Sequence, residues 1–161
     1  MAALTDADPV QAARACCVAL LARREHSREE LLRKLAATGV ALDVARRVVD
    51  ELADEEAQSD GRYAEVLVRS RHGRGYGPLW IRRELAAKGL SGEAVEAALA
   101  DYDWAEALAA AHTKKFGRSR PATPKEKAAR LRYLTYRGFE PAAVAALLRR
   151  PGGDDDTGDD D

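Results

Sequence analysis

The sequence predicts an all-α fold made of three tandem three-helix repeats, and three observations carry the prediction. The first is composition. Ala, Leu, Arg and Glu dominate a chain of 161 residues that is 46% hydrophobic and 33% charged, and few residues favour strands. The second is a repeated ending. LRKLAATG stops at Gly39, RRELAAKG at Gly89 and LRYLTYRG at Gly138, spaced by 50 and 49 residues. Leu35, Leu85 and Leu134 stand four residues before these glycines, Val40, Leu90 and Phe139 directly after them, and Val49, Leu99 and Leu148 ten residues on. Recurrence at a fixed period marks a duplicated supersecondary unit. The third is a set of helix-start signatures: Asp8-Pro9-Val10-Gln11, Ser27-Arg28-Glu29-Glu30 and Thr123-Pro124-Lys125-Glu126. In each, a short polar side chain can cap free amides while a longer one reaches back.

In chain order, residues 1–7 carry no helical pattern and are expected to be disordered. The first helix then presents Val10, Ala13, Cys17, Leu20 and Leu21 on one side and ends near Arg24. Ser27 opens a second helix with Leu31, Leu32 and Leu35 inward, and Asp43 is expected to cap a third with Ala45, Val48, Val49 and Leu52 inward. Ser59 or Asp60 caps a fourth, read as Ser59–Arg71, with Tyr63, Val66 and Leu67 as its face. HGRGYG breaks it, since three glycines in five residues cost too much backbone entropy to remain helical. Pro78 starts the fifth along Ile81 and Leu85, and Gly89 supplies a left-handed stop. The sixth is expected from a Ser91 cap, with Val95, Ala98, Leu99 and Tyr102 as its stripe. The seventh follows Asp103, with Trp104, Ala107, Leu108 and Ala111 inward. The eighth, from Thr123, faces in through Leu131 and Leu134, so Tyr133 is expected to point outward in preference to Tyr136. The ninth runs from Pro141 through Val144, Leu147 and Leu148 to Pro151-Gly152-Gly153. The expected organisation is therefore an N-terminus over 1–8, repeats over 9–58, 59–102 and 103–150, and a disordered acidic tail over 151–161. Units this small bury little core alone, so packing between them should matter, and the repeats are expected to form an elongated array free to curve.

The formal charge of −1 hides an uneven distribution. Six aspartates lie in the tail (154–156 and 159–161), so residues 1–150 carry 26 basic and 21 acidic residues, a net of +5. Residues 112–137 hold nine Lys or Arg and the single acid Glu126, whereas 91–107 hold five acids and no base. Such banding suits partners bearing phosphate or carboxylate. Two basic blocks stand out. One comprises Arg69, Arg71 and Arg74 with Arg82, Arg83 and Lys88 across the elbow; Arg suits bidentate contact with an anion. The other comprises Lys114, Lys115, Arg118, Arg120, Lys125, Lys127, Arg130, Arg132 and Arg137, interleaved with Phe116, Tyr133 and Tyr136. Cations beside aromatics suit a nucleic-acid backbone and stacked bases. The opposing reading makes the charges solvated helix faces and the aromatics core.

Other chemistry is not indicated. His26, His72 and His112 are scattered, with no short-spaced metal ligands, and Cys16 and Cys17 are adjacent, read as two partly buried thiols in a reducing compartment. Gly73, Gly75 and Gly77 do not follow a strand or match a dinucleotide fingerprint. Ser27, Ser59, Ser91 and Thr123 read as caps rather than nucleophiles. No run approaches the roughly 20 apolar residues of a membrane span, and no basic segment and apolar core make a secretory signal. The sequence thus predicts no enzyme, no cofactor and no metal.

DGRYAEVLVRSR followed by GYGPLWIRRELAAKGL resembles the signature of the RecX family, regulators of the RecA recombinase. The matching positions are Asp60, Tyr63, Ala64, Arg69, Gly77, Pro78, Ile81, Leu85 and Gly89. SREELLRKLAATG and RLRYLTYRGF fit the same pattern, so the resemblance covers roughly residues 10–150 and leaves the acidic tail outside. It implies a non-enzymatic, cytoplasmic inhibitor, expected as a monomer. This would bind the RecA–DNA filament, suppress its ATPase, strand exchange and co-protease activity, and bind single- and double-stranded DNA weakly. The rival is a helix-turn-helix transcriptional regulator, because each repeat's last two helices are joined by a glycine turn. Against the rival, 93–103 is acidic and 142–148 is nearly all Ala, Val and Leu, so neither offers a basic reading helix.

Overall fold

The computed structural model describes residues 8–149; the disorder expected of 1–7 and of the acidic tail falls outside the described residues. Among the described residues there are nine α-helices and no strand. They are α1 (Pro9–Arg23), α2 (Arg28–Ala37), α3 (Leu42–Asp54), α4 (Asp60–Gly73), α5 (Pro78–Ala87), α6 (Glu93–Ala100), α7 (Trp104–Phe116), α8 (Pro124–Tyr136) and α9 (Pro141–Arg149). They fall into two compact units. The first combines the described part of 1–70 with 82–101, and the second combines 71–81 with the described part of 102–161.

In the first unit, α1, α2 and α3 close around Ala13, Cys17, Leu31, Leu35, Ala45, Val48, Val49 and Leu52. Asp8 accepts the Val10 N–H at 3.1 Å to start α1. Ser27 and Glu30 form a complete capping box on α2. Two expected caps are displaced. Ala41 precedes α3 without a side-chain cap, and Asp43 lies in the first turn, where its carboxylate faces the positive end of the helix dipole. Gly92, at φ +79°, precedes α6 in the position expected of Ser91, and α6 ends at Ala100, leaving Tyr102 beyond it.

Helix α4 starts as expected, with Ser59 Oγ accepting the Arg62 N–H at 3.1 Å, and continues two residues past Arg71. Its inward face differs from the one read in the sequence. Tyr63, Ala64 and Val68 are buried, Leu67 is half-buried and Val66 is 48% exposed. At about 100° per residue, Val66 lies roughly 130° round from that stripe. Small Ala64, fully buried between larger neighbours, marks the true face.

All three period-setting glycines terminate their helices in the same way. Gly39, Gly89 and Gly138 have φ of +85°, +82° and +99°. The following N–H of Val40, Leu90 or Phe139 donates back to the carbonyl of Leu35, Leu85 or Leu134, and each glycine's own N–H donates to the residue after that leucine. This is the double-bonded Schellman stop, and it explains the fixed spacing of leucine, glycine and apolar residue. Glu56 occupies the same turn after α3 at φ +60°, without glycine's freedom, its neighbour Ala57 N–H bonded to Leu52 O at 2.9 Å.

In the second unit, α7, α8 and α9 enclose Leu108, Leu134, Phe139, Val144 and Leu148. Asp103 and Thr123 cap α7 and α8 through the N–H groups of Glu106 and Glu126. The tyrosines of α8 are reversed from expectation. Tyr133 packs edge-on against Phe116 at 5.5 Å as part of this core, while Tyr136 is 72% exposed. At about 100° per residue Tyr133 lies off the Leu131–Leu134 stripe, one turn after buried Arg130, and it is Phe116, touched by both, that draws it in.

A related joint occurs in each unit. In the first, the start of α2 meets the last turn of α5: Ser27 Oγ donates to Lys88 O at 2.8 Å and Arg33 Nη1 to Ala87 O at 3.1 Å. In the second, the start of α5 meets the last turn of α8: Gly77 N–H donates to Arg137 O at 2.8 Å and Leu79 N–H to Gly138 O at 2.9 Å. A Cβ on Gly77 would stand 2.5 Å from the Gly138 carbonyl, and one on Gly138 would stand 2.5 Å from the Trp80 amide nitrogen. Backbone approaches backbone there, so no side chain fits.

Candidate nucleic-acid and partner interface

The predicted cations divide into those that face outward and those the fold employs. Among the described residues, Arg69, Arg83, Arg118, Arg120, Lys125, Lys127 and Arg132 are exposed and have no ion pair. Arg71 is half-buried and engaged within the fold. Arg82 grips Glu96 with two bonds of 2.9 and 3.0 Å. Lys88 Nζ lies 3.8 Å from Glu30 Oε2. The first basic block is thus partly neutralised, and its members are divided between the two units.

The second block has two members with internal duties. Arg130 is only 8% exposed. It donates to Ser119 O at 2.6 Å, lies 3.2 Å from His112 Nε2 and covers the Phe116 ring, so it ties α8 to the loop after α7. Burial, with the Arg130 charge behind it, pushes the His112 pKa down, which keeps the imidazole neutral beside the guanidinium. Arg137 donates to the carbonyls of Arg74 and Gly75 and lies 3.8 Å above the Tyr76 ring. Both already hold groups within the fold. Their acceptors come from 11 to 63 residues away, beyond any local pattern.

Within the second unit, Arg74, Lys114, Lys115 and Arg137 converge with Gly75, Ala111 and Tyr133 on a cavity of about 200 Å³. No carboxylate lines it. Lys115 Nζ sits 5.1 Å from the Tyr133 ring centre. Beside it runs an aromatic strip unmarked in the sequence: Tyr76 stacks on Trp80 at 4.7 Å, and Trp80 meets exposed Tyr136 edge-on at 5.9 Å. Arg137 belongs to both features.

The family-motif residues mostly build joints. Asp60 does not cap its own helix: its Oδ1 accepts the Arg28 N–H at 2.8 Å, satisfying a free amide of α2, and the Gln58 side chain at 2.9 Å. Tyr63 is buried beside Glu30, and burial followed by that carboxylate pushes its hydroxyl up to about 12. Ala64, Ile81 and Leu85 are core residues, and Gly77 and Pro78 are buried at the α5–α8 joint. Gly89 leaves room for Glu29. Arg69 alone of the nine is an exposed charge. Burial by itself would raise the Glu30 carboxyl, but Arg24, the Ser27 N–H and Lys88 together hold it down to about 2. No group of His, Cys, Asp and Glu among the described residues is arranged to hold a metal, and no helix is long and apolar enough to cross a membrane.

Family models described as the first, second and third three-helix domains of RecX match residues 13–52, 59–99 and 101–148. The regulatory protein RecX of Xanthomonas axonopodis pv. citri is 45% identical over 143 residues, covering 88% of this chain and 86% of the relative. The chain belongs to the RecX family. RecX of Pseudomonas putida strain GB-1 is 41% identical over 88% of this chain and 92% of its own. A crystal structure of RecX from Lactobacillus salivarius superposes with a TM-score of 0.75 at 21% identity, over 88% of this chain and 96% of that one. The fold is therefore the RecX arrangement of three three-helix domains in tandem, as the glycine period predicts. Its relatives are regulatory proteins.

Proposed function

We propose that the chain is a non-enzymatic modulator of RecA that binds the RecA–DNA filament and lowers its ATPase, strand-exchange and co-protease activities. It has weak affinity of its own for single- and double-stranded DNA, acts in the cytoplasm and works as a monomer. Beyond family membership, the observation that supports this is the spread of unpaired cations over α4, α5, the 117–123 loop and α8. A polymer can satisfy many dispersed charges at once, and modest contacts sum through effective concentration. The transcriptional alternative draws no support from α6, whose first turn carries Glu93 and Glu96, or from α9, which offers Arg149 as its one cation.

The test is ATP hydrolysis by RecA preassembled on single-stranded DNA, titrated with this protein well below one copy per RecA. Inhibition in that range supports the reading. Unchanged hydrolysis together with sequence-selective duplex binding favours the transcriptional one.

A further inference from the structure

Beyond the Arg137 bonds and the Trp80 contact at the α5–α8 joint, the aromatic strip and the cationic cavity carry groups that the packing leaves unused. Tyr136 leaves most of its ring in solvent, although its neighbours in α8 supply ample core. Lys114 and Arg74 reach the cavity without an ion pair to a described residue, beside Lys115 and Arg137. Four like charges around one hollow repel each other unless an anion enters. At about 200 Å³ the hollow is smaller than a typical drug-sized pocket. A backbone phosphate suits its size and its cationic lining. Arg137 spends two of its five N–H donors on the Arg74 and Gly75 carbonyls and retains the others.

We propose that the cavity and the Tyr76–Trp80–Tyr136 strip form one single-stranded DNA site, seating a backbone phosphate among the cations and stacking an unpaired base on Tyr136. Every base has a π face, but in a duplex those faces are already occupied, so the strip favours unpaired strand. Arg137 links the halves, since it lines the cavity and covers the Tyr76 ring at 3.8 Å. Arg132, one helical turn before Tyr136, adds an exposed cation along the same edge of α8. The site deepens the DNA affinity proposed above and is tested without RecA, so it can fail while filament inhibition stands, and the reverse.

The chain has two tryptophans, so a Trp104→Phe protein reports from Trp80 alone. Oligo-dT should quench that emission, whereas an abasic strand of equal length should bind at least about fivefold more weakly and leave it nearly unchanged. Tyr136→Ala should weaken oligo-dT binding about fivefold or more while leaving abasic binding as it was, and Tyr136→Phe should stay within about twofold. Lys114→Glu with Lys115→Glu should weaken both strands and flatten their salt dependence. Fluorescence anisotropy of labelled strands gives the same comparisons with Trp104 intact, so a poorly folded Trp104→Phe protein does not block the test. Equal affinity for abasic and normal strands, or no effect of Tyr136→Ala, would reduce the site to a plain cationic face. Tighter binding of duplex, or equal quenching by polyglutamate, would assign it to another ligand.

Discussion

Replacing Glu30 with Gln asks how much stability rests on one buried carboxylate. Its oxygens receive Arg24 Nη2 at 2.9 Å and the Ser27 N–H at 3.3 Å, with Lys88 Nζ at 3.8 Å, and the side chain is 6% exposed. Burial opposes the charge, yet the pKa falls from an ordinary 4.5 to about 2. At about 1.4 kcal/mol per pH unit, this corresponds to about 3 kcal/mol of folded-state preference for the ionised form. Because the folded value is the lower one, this stabilisation is complete above about pH 4.5 and is lost as the pH falls toward 2. Gln keeps the size and one acceptor oxygen but loses the charge. Glu30→Gln should therefore cost about 2–3 kcal/mol at pH 7 in urea unfolding followed by far-UV circular dichroism. The gap should narrow below pH 4.5 and nearly vanish near pH 2. A gap that stays constant across that window, or is under about 0.5 kcal/mol at pH 7, would refute the assignment.

Glu56→Gly relieves a left-handed φ of +60° and should stabilise the protein by about 0.5–1 kcal/mol, read as a higher urea midpoint. Gly138→Ala places a Cβ against Trp80 at φ +99° and should destabilise the second unit by roughly 2 kcal/mol or more, with a shift in Trp80 emission. Charge reversal of exposed Arg69 and Arg83 should weaken RecA inhibition and lower the salt slope of DNA binding by about 0.7 for each single-strand phosphate no longer neutralised. Deleting residues 152–161 should raise DNA affinity at low salt if the six aspartates compete for the basic blocks; unchanged affinity would make the tail a solubilising one.

The helices were legible because their stops are local. Leucine, glycine and the next apolar residue form one hydrogen-bonded motif within six residues, and its recurrence at Gly39, Gly89 and Gly138 revealed the repeat. Faces were less legible where small or amphipathic residues decide them, as with Ala64 on α4 and Tyr133 on α8. Asp60 looked like its own helix's cap because the amide it satisfies, that of Arg28, lies 32 positions earlier. Arg130 and Arg137 looked like surface charge for the same reason. The Tyr76–Trp80–Tyr136 strip could not be read, since its rings come from two segments about sixty residues apart.

The joint between the start of α5 and the end of α8 is made by main-chain donors and acceptors, with two glycines excluding anything bulkier. Its geometry is therefore indifferent to most side chains around it. Side chains along that seam can change without removing the bonds that hold it, provided positions 77 and 138 stay bare.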